Sequence, residues 1–341
     1  MKPFLAGPAV ALGLWTVAFA QTAAAPPVKA PEAGVEQSPD SEAPIQVNVN
    51  VVNVLASVRD KHNTLIPNLS KDDFEIYENG QPETIKYFTR ETNLPLTLGL
   101  LVDVSASQGN LIEIERRAAA EFFHQVLKSK DEAFIISFGS DSELLQDITS
   151  SPRLLEKALD DLKPNFGFSG IHPSQIPGAD QPHGTVLYDA VYLAATDRLA
   201  NEVGRKAIVL ITDGVDQGSK ISIKRATEYA QKSDAAIYGI YYVDPYFYSR
   251  GGFSFGGGGE RYLNEMSGET GGHVYKVDRK NTLDLVFNQL QEEMRTQYAI
   301  GYTPTDPKRD GSYRKLEVRV KNKDYKVQAR KGYYAMPAQK E

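Results

Sequence analysis

The chain has 341 residues, of which 41% are hydrophobic and 24% are charged, as expected for a globular protein of one large or two smaller domains. Lys and Arg number 38 against 44 Asp and Glu, a formal net charge of −6, so we expect no nucleic-acid partner. The sequence contains no cysteine, which excludes disulfides and cysteine-linked lipids and leaves the fold to be held by its hydrophobic core.

The first twenty residues have the pattern of a secretory signal peptide. Lys2 precedes an apolar, uncharged segment, residues 4–19, and Ala18-Phe-Ala20 supplies a small-residue cleavage site. The alternative, an uncleaved membrane anchor, needs about 18–20 apolar residues, and this segment is shorter and contains a proline and a glycine. We therefore predict a signal peptide over residues 1–20 and a mature chain exported to the periplasm or the extracellular space.

Residues 21–44 consist mainly of Ala, Pro, Glu and Ser, a composition typical of a disordered linker. Residues 337–341 are predicted to be a short tail. No segment after the signal peptide is apolar enough to cross a bilayer, so we expect no membrane span in the mature chain.

Residues 45–92 are predicted to form the first part of a small β-module. Valines at every second position over 47–51 show the period-two pattern of a half-buried strand. Further strands are expected near 74–77 and 85–88, and Glu78-Asn-Gly80 between them is a strong hairpin signal.

Residues 93–297 alternate between apolar runs and helical patterns. The strand patterns cover 96–102, 133–138 (with a short partner near 144–145), 207–212, 236–243 and 273–277. The helical patterns cover about 111–126, 151–162, 185–195, 222–232, 262–270 and 283–296. Two polar or glycine-rich segments, 163–183 and 244–259, are predicted as long loops. This alternation predicts a Rossmann-like, doubly wound α/β domain with a mostly parallel sheet.

Strand patterns return at the end of the chain, over 298–302, 315–320 and 325–329. Neither these strands nor the earlier ones would make a stable sheet alone. We therefore predict that residues 45–92 and 298–336 pair into one small antiparallel β-sandwich. The α/β domain of residues 93–297 is then inserted between the two halves.

Side chains with oxygen ligands follow two of the apolar strands. Asp103, Ser105 and Ser107 come directly after one strand, Asp213 follows another, and Thr185 lies where a helix begins. Because the carboxyl ends of parallel strands share one edge of a sheet, we expect these five side chains to converge there. Two carboxylates and three hydroxyls form a hard-oxygen site that suits Mg²⁺ better than zinc or copper.

Each fragment of this site also has an ordinary structural interpretation. Ser107 could cap the first helix, Thr185 could cap the third, and Asp213-Gly214 could be a plain turn. The metal site is favoured by the combination, because all three fragments lie at strand ends or at a helix start.

The fragments Asp103-x-Ser-x-Ser107, Gly184-Thr-x-Leu-Tyr-Asp189 and Thr212-Asp-Gly214 resemble the metal-ion-dependent adhesion site of von Willebrand factor type A domains. The resemblance covers roughly residues 94–297. It implies a Rossmann-like domain that binds protein partners through Mg²⁺, with Mn²⁺ or Ca²⁺ as alternatives.

The flanking segments 69–80 and 330–335 resemble a bacterial group of exported proteins related to the same family. In integrin inserted domains, which share the fold, the site is coupled to movement of the last helix. The resemblance therefore suggests that ligand binding alters the angle between the two modules through helix 283–296. A rigid platform is the alternative.

The predicted function is a non-enzymatic binding module whose ion is completed by the Asp or Glu of a protein partner, in adhesion or in assembly of an envelope complex. The first alternative is a structural envelope protein in which the sandwich makes the main contacts and the metal only stabilises loops. A metal-dependent hydrolase is a more distant alternative, since Ser105 lacks a nucleophile motif and the five histidines show no zinc-binding spacing.

Overall fold

The computed structural model of the protein describes residues 51–90, 94–165, 184–250 and 258–337. The predicted signal peptide, the linker and most of the loop predicted over 163–183 lie outside these residues. In the part of the chain that is described, no helix is long and apolar enough to cross a membrane.

Four short strands precede the α/β domain in the described residues. They are β1 (Val52–Arg59), β2 (Phe74–Glu78), β3 (Gln81–Glu83) and β4 (Ile85–Arg90). Asn79 and Gly80 have positive φ angles of 50° and 82° and form the tight turn between β2 and β3. The predicted turn is therefore confirmed, and the Asn-Gly pair suits it because both positions need left-handed backbone. The second strand of the hairpin is β3, which was not predicted, whereas the predicted strand near 85–88 is β4 and pairs with Tyr298–Tyr302.

The central domain is built on a six-stranded sheet in the order β10-β9-β8-β5-β6-β7. Its strands are β5 (Leu96–Asp103), β6 (Glu132–Phe138), β7 (Ser142–Thr149), β8 (Arg205–Thr212), β9 (Ala235–Tyr241) and β10 (Val274–Lys276). The edge strand β7 is antiparallel to β6, and the other neighbouring pairs are parallel. Strands β5 and β8 are buried along their whole length, as the continuous apolar runs predicted.

Helices cover both faces of this sheet. They are α1 (Ile112–Val126), α2 (Pro152–Leu159), α3 (Leu187–Leu193), α4 (Ile223–Lys232), α5 (Pro245–Arg250), α6 (Gly259–Thr270) and α7 (Leu283–Arg295). Helices α1, α2 and α7 enclose one core against the sheet, and α3, α4 and α6 enclose a second core on the opposite face. The prediction of a doubly wound α/β domain is confirmed.

The segment predicted as a loop over 244–259 contains helix α5, so that part of the prediction is wrong. Pro245 opens the helix, and Oδ1 of Asp244 accepts a hydrogen bond from the backbone N of Tyr246 at 2.8 Å. An acidic residue followed by proline is a helix-start signal, which the glycines further along the segment obscured.

The chain returns to strands after α7, with β11 (Tyr298–Tyr302), β12 (Tyr313–Val320), β13 (Lys326–Ala329) and β14 (Gly332–Tyr334). Two four-stranded sheets result, β13-β1-β11-β4 and β14-β12-β2-β3, with a shared core that includes Val54, Ile76, Ile300 and Leu316. Each sheet takes strands from both sides of the central domain, which confirms the sandwich with an inserted α/β domain. Strand β14 was not predicted, because three residues are too few to show a period-two pattern.

A buried ion pair ties α7 to the sandwich. The carboxylate of Glu293 is fully buried, and it accepts hydrogen bonds from Arg59 Nη2 at 2.5 Å, Ser57 Oγ at 3.1 Å and Tyr275 OH at 2.5 Å. Ser57 and Arg59 belong to β1 of the sandwich, whereas Tyr275 belongs to β10 of the central sheet. The last turn of α7 is therefore fixed to both modules at once.

Candidate metal centre

Asp103 is the last residue of β5, and its carboxylate is fully buried at the carboxyl edge of the sheet. Oδ1 accepts a hydrogen bond from the backbone N of Ser105 at 3.0 Å, and Oδ2 accepts one from Thr212 Oγ1 at 2.5 Å. Thr212 is the last residue of β8, which lies beside β5. The second bond therefore joins the ends of the two strands that the sequence predicted to carry the site.

Ser105 and Ser107 lie in the loop that follows Asp103, with their hydroxyl oxygens 3.1 Å apart. Ser105 is 8% exposed and Ser107 is partly exposed, so both are more accessible than the fully buried Asp103. Helix α1 begins at Ile112, with Leu111 at its N-cap. The interpretation of Ser107 as a helix cap is therefore wrong, and its hydroxyl is placed beside that of Ser105 instead.

The loop that carries the two serines is held by contacts with the end of β9. Gln108 Nε2 donates to the carbonyl oxygen of Tyr242 at 3.2 Å, and Asn110 Nδ2 donates to Asp244 Oδ2 at 2.7 Å. These partners are 134 positions apart in the sequence. These contacts between distant residues hold the loop in front of α1, which begins within one residue of its predicted start near 111.

Asp213 follows β8 directly and is 3% exposed. Its Oδ1 accepts a hydrogen bond from the backbone N of Val215 at 3.1 Å. Gly214 has a φ of 75°, and its backbone N donates to Thr212 Oγ1 at 3.0 Å. The Thr212 hydroxyl thus donates to Asp103 and accepts from Gly214, which joins the loops that carry the two carboxylates. Sequence reasoning missed this role, because a threonine at the end of an apolar strand gives no signal of its own.

The Asp213-Gly214 turn packs against the first residue of α6 without space for a side chain. A Cβ at Gly259 would lie 1.9 Å from the carbonyl oxygen of Asp213, and one at Gly214 would lie 2.5 Å from that of Gly259. Glycine at both positions therefore allows the backbones to touch. This contact fixes where the Asp213 loop leaves the sheet.

Thr185 is held near the same edge of the sheet by a backbone hydrogen bond of the next residue, Val186. The N of Val186 donates to the carbonyl oxygen of Gly139 at 2.9 Å. Gly139 follows Phe138, the residue of β6 that is in register with Asp103. Helix α3 begins at Leu187 with Val186 at its N-cap, so the interpretation of Thr185 as the cap is also wrong.

A second set of bonds joins Thr185 to the loop beyond Asp213. Its carbonyl oxygen accepts hydrogen bonds from the backbone N of Gln217 at 3.0 Å and of Gly218 at 3.2 Å. These bonds join the segment that carries Thr185 to the segment that follows Asp213.

The electrostatics of this edge disfavour negative charge. Burial first, and then the nearby charge of Asp213, raise the pKa of Asp103 to about 7, although the hydrogen bonds from Ser105 and Thr212 lower it. Burial likewise raises the pKa of Glu115 on α1 well above its usual range, with a second contribution from the charge of Asp103. Neither carboxyl oxygen of Glu115 has a hydrogen-bond partner in the described part of the chain. A cation at this edge would relieve that repulsion.

The donor set fits a hard divalent ion that uses hydroxyl ligands. Within the described residues, no group of three or more His, Cys, Asp or Glu side chains could hold a metal ion. A site here would therefore combine the two carboxylates with hydroxyl oxygens and water, a ligand set that Mg²⁺ accepts and that zinc and copper sites rarely use.

Comparison with known proteins identifies the segment that carries this edge. Residues 98–215 match the family model of the von Willebrand factor type A domain. An uncharacterized protein of Borreliella burgdorferi is 24% identical over an alignment of 241 residues that covers 66% of this chain and 62% of that protein. This chain thus spans less than two thirds of the length of that relative.

Two solved structures illustrate the similarity of fold. An aerotolerance-related membrane protein from Bacteroides fragilis is 20% identical with a TM-score of 0.41, over 58% of this chain and 98% of that one. Proximal thread matrix protein 1 from the mussel byssus was solved with zinc in its metal-ion-dependent adhesion site (MIDAS) motif. It is 12% identical with a TM-score of 0.45, over 64% of this chain and 50% of that one. At these levels of similarity, neither structure identifies a function for this chain.

Proposed function

Because residues 98–215 are a von Willebrand factor type A domain, we propose that this chain is an exported, non-enzymatic module that captures a protein partner through a divalent ion. The residues that would hold the ion are Asp103, Ser105, Ser107, Thr185 and Asp213. Mg²⁺ is the proposed ion, and Mn²⁺ and Ca²⁺ are alternatives with the same oxygen ligands. Export is proposed from the signal-peptide pattern of residues 1–20.

The observation that carries this proposal is the burial of two carboxylates, Asp103 and Asp213, at one sheet edge, where the Thr212 hydroxyl donates to Asp103 and accepts from the backbone N of Gly214. Burial of like charges beside each other is unfavourable unless a cation or a proton compensates for them. The pKa of Asp103, which burial and the charge of Asp213 raise to about 7, supports the proposal. Since a bound cation favours the charged form of both groups, they are suited to coordination rather than to work as an acid–base pair.

The proposed partner presents an Asp or a Glu side chain. When bound, the ion would supply a positive centre at this edge, which reverses the local sign that the two buried carboxylates otherwise impose. Ser105, Ser107 and Thr185 add oxygen ligands without adding negative charge. An acidic side chain of a partner can therefore approach these residues without meeting further repulsion.

Partner capture tests this proposal. Purified wild-type protein, Asp103→Ala and a control, Asp324→Ala, are immobilised and exposed to an envelope extract in Mg²⁺ or in EDTA. Asp324 is exposed on the sandwich, in the turn between β12 and β13. We expect the wild type and the control to retain the same protein in Mg²⁺ only, and Asp103→Ala to retain none. Equal capture in EDTA would contradict the proposal.

Thermal melting separates the proposal from the structural alternative. If the metal only stabilises loops and the sandwich makes the contacts, EDTA lowers the melting temperature and leaves capture unchanged. If the ion makes the contact, Asp103→Ala loses capture even at temperatures where it remains folded.

A further inference from the structure

The first turn of α3 and the loop after Asp213 are joined by hydrogen bonds in both directions: side chains of each segment accept from backbone N atoms of the other. The hydroxyl oxygen of Ser219 accepts hydrogen bonds from the backbone N of Tyr188 at 3.0 Å and of Asp189 at 3.1 Å. Asp216 Oδ1 accepts the Ser219 hydroxyl at 2.5 Å and lies 3.3 Å from the N of Tyr188. Backbone donors at the start of α3, which a helix leaves unpaired, are thus satisfied from a distant segment.

Asp189, in the first turn of α3, in turn accepts hydrogen bonds from backbone N atoms of the loop. Its Oδ1 accepts hydrogen bonds from the backbone N of Lys220 at 3.0 Å and of Ile221 at 3.1 Å, and its Oδ2 accepts from Lys220 N at 3.0 Å. In an ordinary capping box, the two partners lie three residues apart on one helix. Here the two partners are about thirty residues apart, so the arrangement joins segments that would otherwise be independent.

Thr185 lies at the centre of the joined region. It is four positions before Asp189, and its carbonyl oxygen accepts from Gln217 N and Gly218 N of the same loop. Gly184 is equally confined, because a Cβ there would lie 2.4 Å from the Cβ of Gln217. The position of the Thr185 backbone relative to the Asp213 loop is therefore set by its own hydrogen bonds, by the bonds of Asp189 and by the close packing of Gly184.

We infer that Asp189 is a positioning residue, which places the Thr185 hydroxyl for ion binding by holding the start of α3 against the loop that follows Asp213. This inference rests on the proposed metal site and adds a residue outside the five proposed ligands. Partners that orient metal ligands commonly change metal affinity by about 10–100-fold when they are removed. We expect a loss in this range for Asp189→Ala.

The experiment measures Mn²⁺ and Mg²⁺ affinity of the full chain by isothermal titration calorimetry. Asp197→Ala is the matched control, since Asp197 is exposed in the turn that continues α3 and contacts only its neighbour Thr196 among the bonds described. Asp189→Asn keeps an Oδ1 acceptor for Lys220 and Ile221, so its affinity should stay within about threefold of the wild type. Melting in EDTA shows whether each variant is folded before the ion is added.

A double-mutant cycle distinguishes positioning of Thr185 from a general loss of structure. Thr185→Val removes the hydroxyl that Asp189 is inferred to place. If Asp189 acts through Thr185, Asp189→Ala should cost less than about twofold in the Thr185→Val background, because the effects of coupled residues are not additive. The same tenfold or greater loss in both backgrounds would overturn the inference.

The outcomes also separate this inference from the proposed function. Unchanged ion affinity in Asp103→Ala would refute the metal site itself. Loss of ion binding in Asp103→Ala together with wild-type affinity in Asp189→Ala would refute only the role of Asp189. If Asp189→Ala does not fold, Asp189→Glu takes its place, because it keeps the charge but displaces the carboxylate by one methylene. We expect this variant to lose ion affinity at least fivefold. Wild-type affinity would overturn the inference.

Discussion

Lowering the pH from 8 to 6 should weaken Mg²⁺ binding about tenfold, because a proton and the ion compete for the carboxylate of Asp103. Burial and the charge of Asp213 raise the pKa of this group to about 7. At pH 8 about a tenth of the ion-free protein then carries the proton, and at pH 6 about nine tenths does. The apparent affinity therefore falls by about one factor of ten, or about 1.4 kcal/mol.

Isothermal titration calorimetry in two buffers with different ionisation enthalpies measures this effect directly. We expect release of close to one proton per ion at pH 6 and of about a tenth of a proton at pH 8. Glu115→Gln serves as a control, because it removes a second buried carboxyl group, which is not a proposed ligand, and should leave the pH dependence in place. An affinity that is the same at both pH values, with no proton release, would refute the assignment of Asp103 as an ion ligand.

The same group sets the pH dependence of stability when the ion is removed. The pKa of Asp103 is higher in the folded protein, about 7, than the ordinary value of 3.8. Its contribution to stability is therefore complete below pH 3.8 and is lost as the pH rises through about 7. In EDTA the melting temperature should fall between pH 5 and pH 8, and Mg²⁺ should restore most of that loss at pH 8.

Three further predictions concern residues around the site and the module junction. Gly259→Ala should weaken Mg²⁺ binding more than tenfold in a titration, because its Cβ would displace the Asp213 carbonyl. The control Gly258→Ala should bind Mg²⁺ normally, because its Cβ would meet only a ring carbon of Tyr262, at 3.8 Å. Glu293→Ala should lower the free energy of unfolding in urea by about 3 kcal/mol, since it removes the buried carboxylate that accepts bonds from Arg59, Ser57 and Tyr275. A loss below about 1 kcal/mol would contradict this. Glu115→Gln should raise the melting temperature at pH 8 and have less effect at pH 4. Burial raises the pKa of this carboxyl group, so its charged form destabilises the folded protein at high pH. An equal change in melting temperature at both pH values would contradict this prediction.

The order of helices and strands in the central domain could be predicted because each element carries its own period. The buried runs that end at Asp103 and Thr212 identify β5 and β8, and the position of the two carboxylates follows from parallel pairing. The sandwich was predicted from a count of strands on either side of the insertion. These features depend on local patterns and on a few topological rules, which a sequence displays directly.

The supporting contacts of the site could not be predicted, because each joins residues that are far apart in the chain. Asn110 and Asp244 are separated by 134 positions, and Thr212 and Asp103 by 109. Asp189 belongs to a predicted motif, yet nothing in its neighbourhood shows that its carboxylate accepts bonds from Lys220. Local patterns therefore supply the proposed ligands, whereas the bonds that hold them in place require the three-dimensional structure.

The pairing of β4 with β11 has a consequence for how the two modules can be separated. Arg90, at the end of β4, is the direct partner of Tyr298, at the beginning of β11. A hairpin turn of two to five residues commonly bridges such a pair, so we expect that a linker of that length can replace the entire insertion. Excision of the insert should therefore yield a small protein of the eight sandwich strands. Unrelated domains whose termini lie close together could be inserted at the same junction.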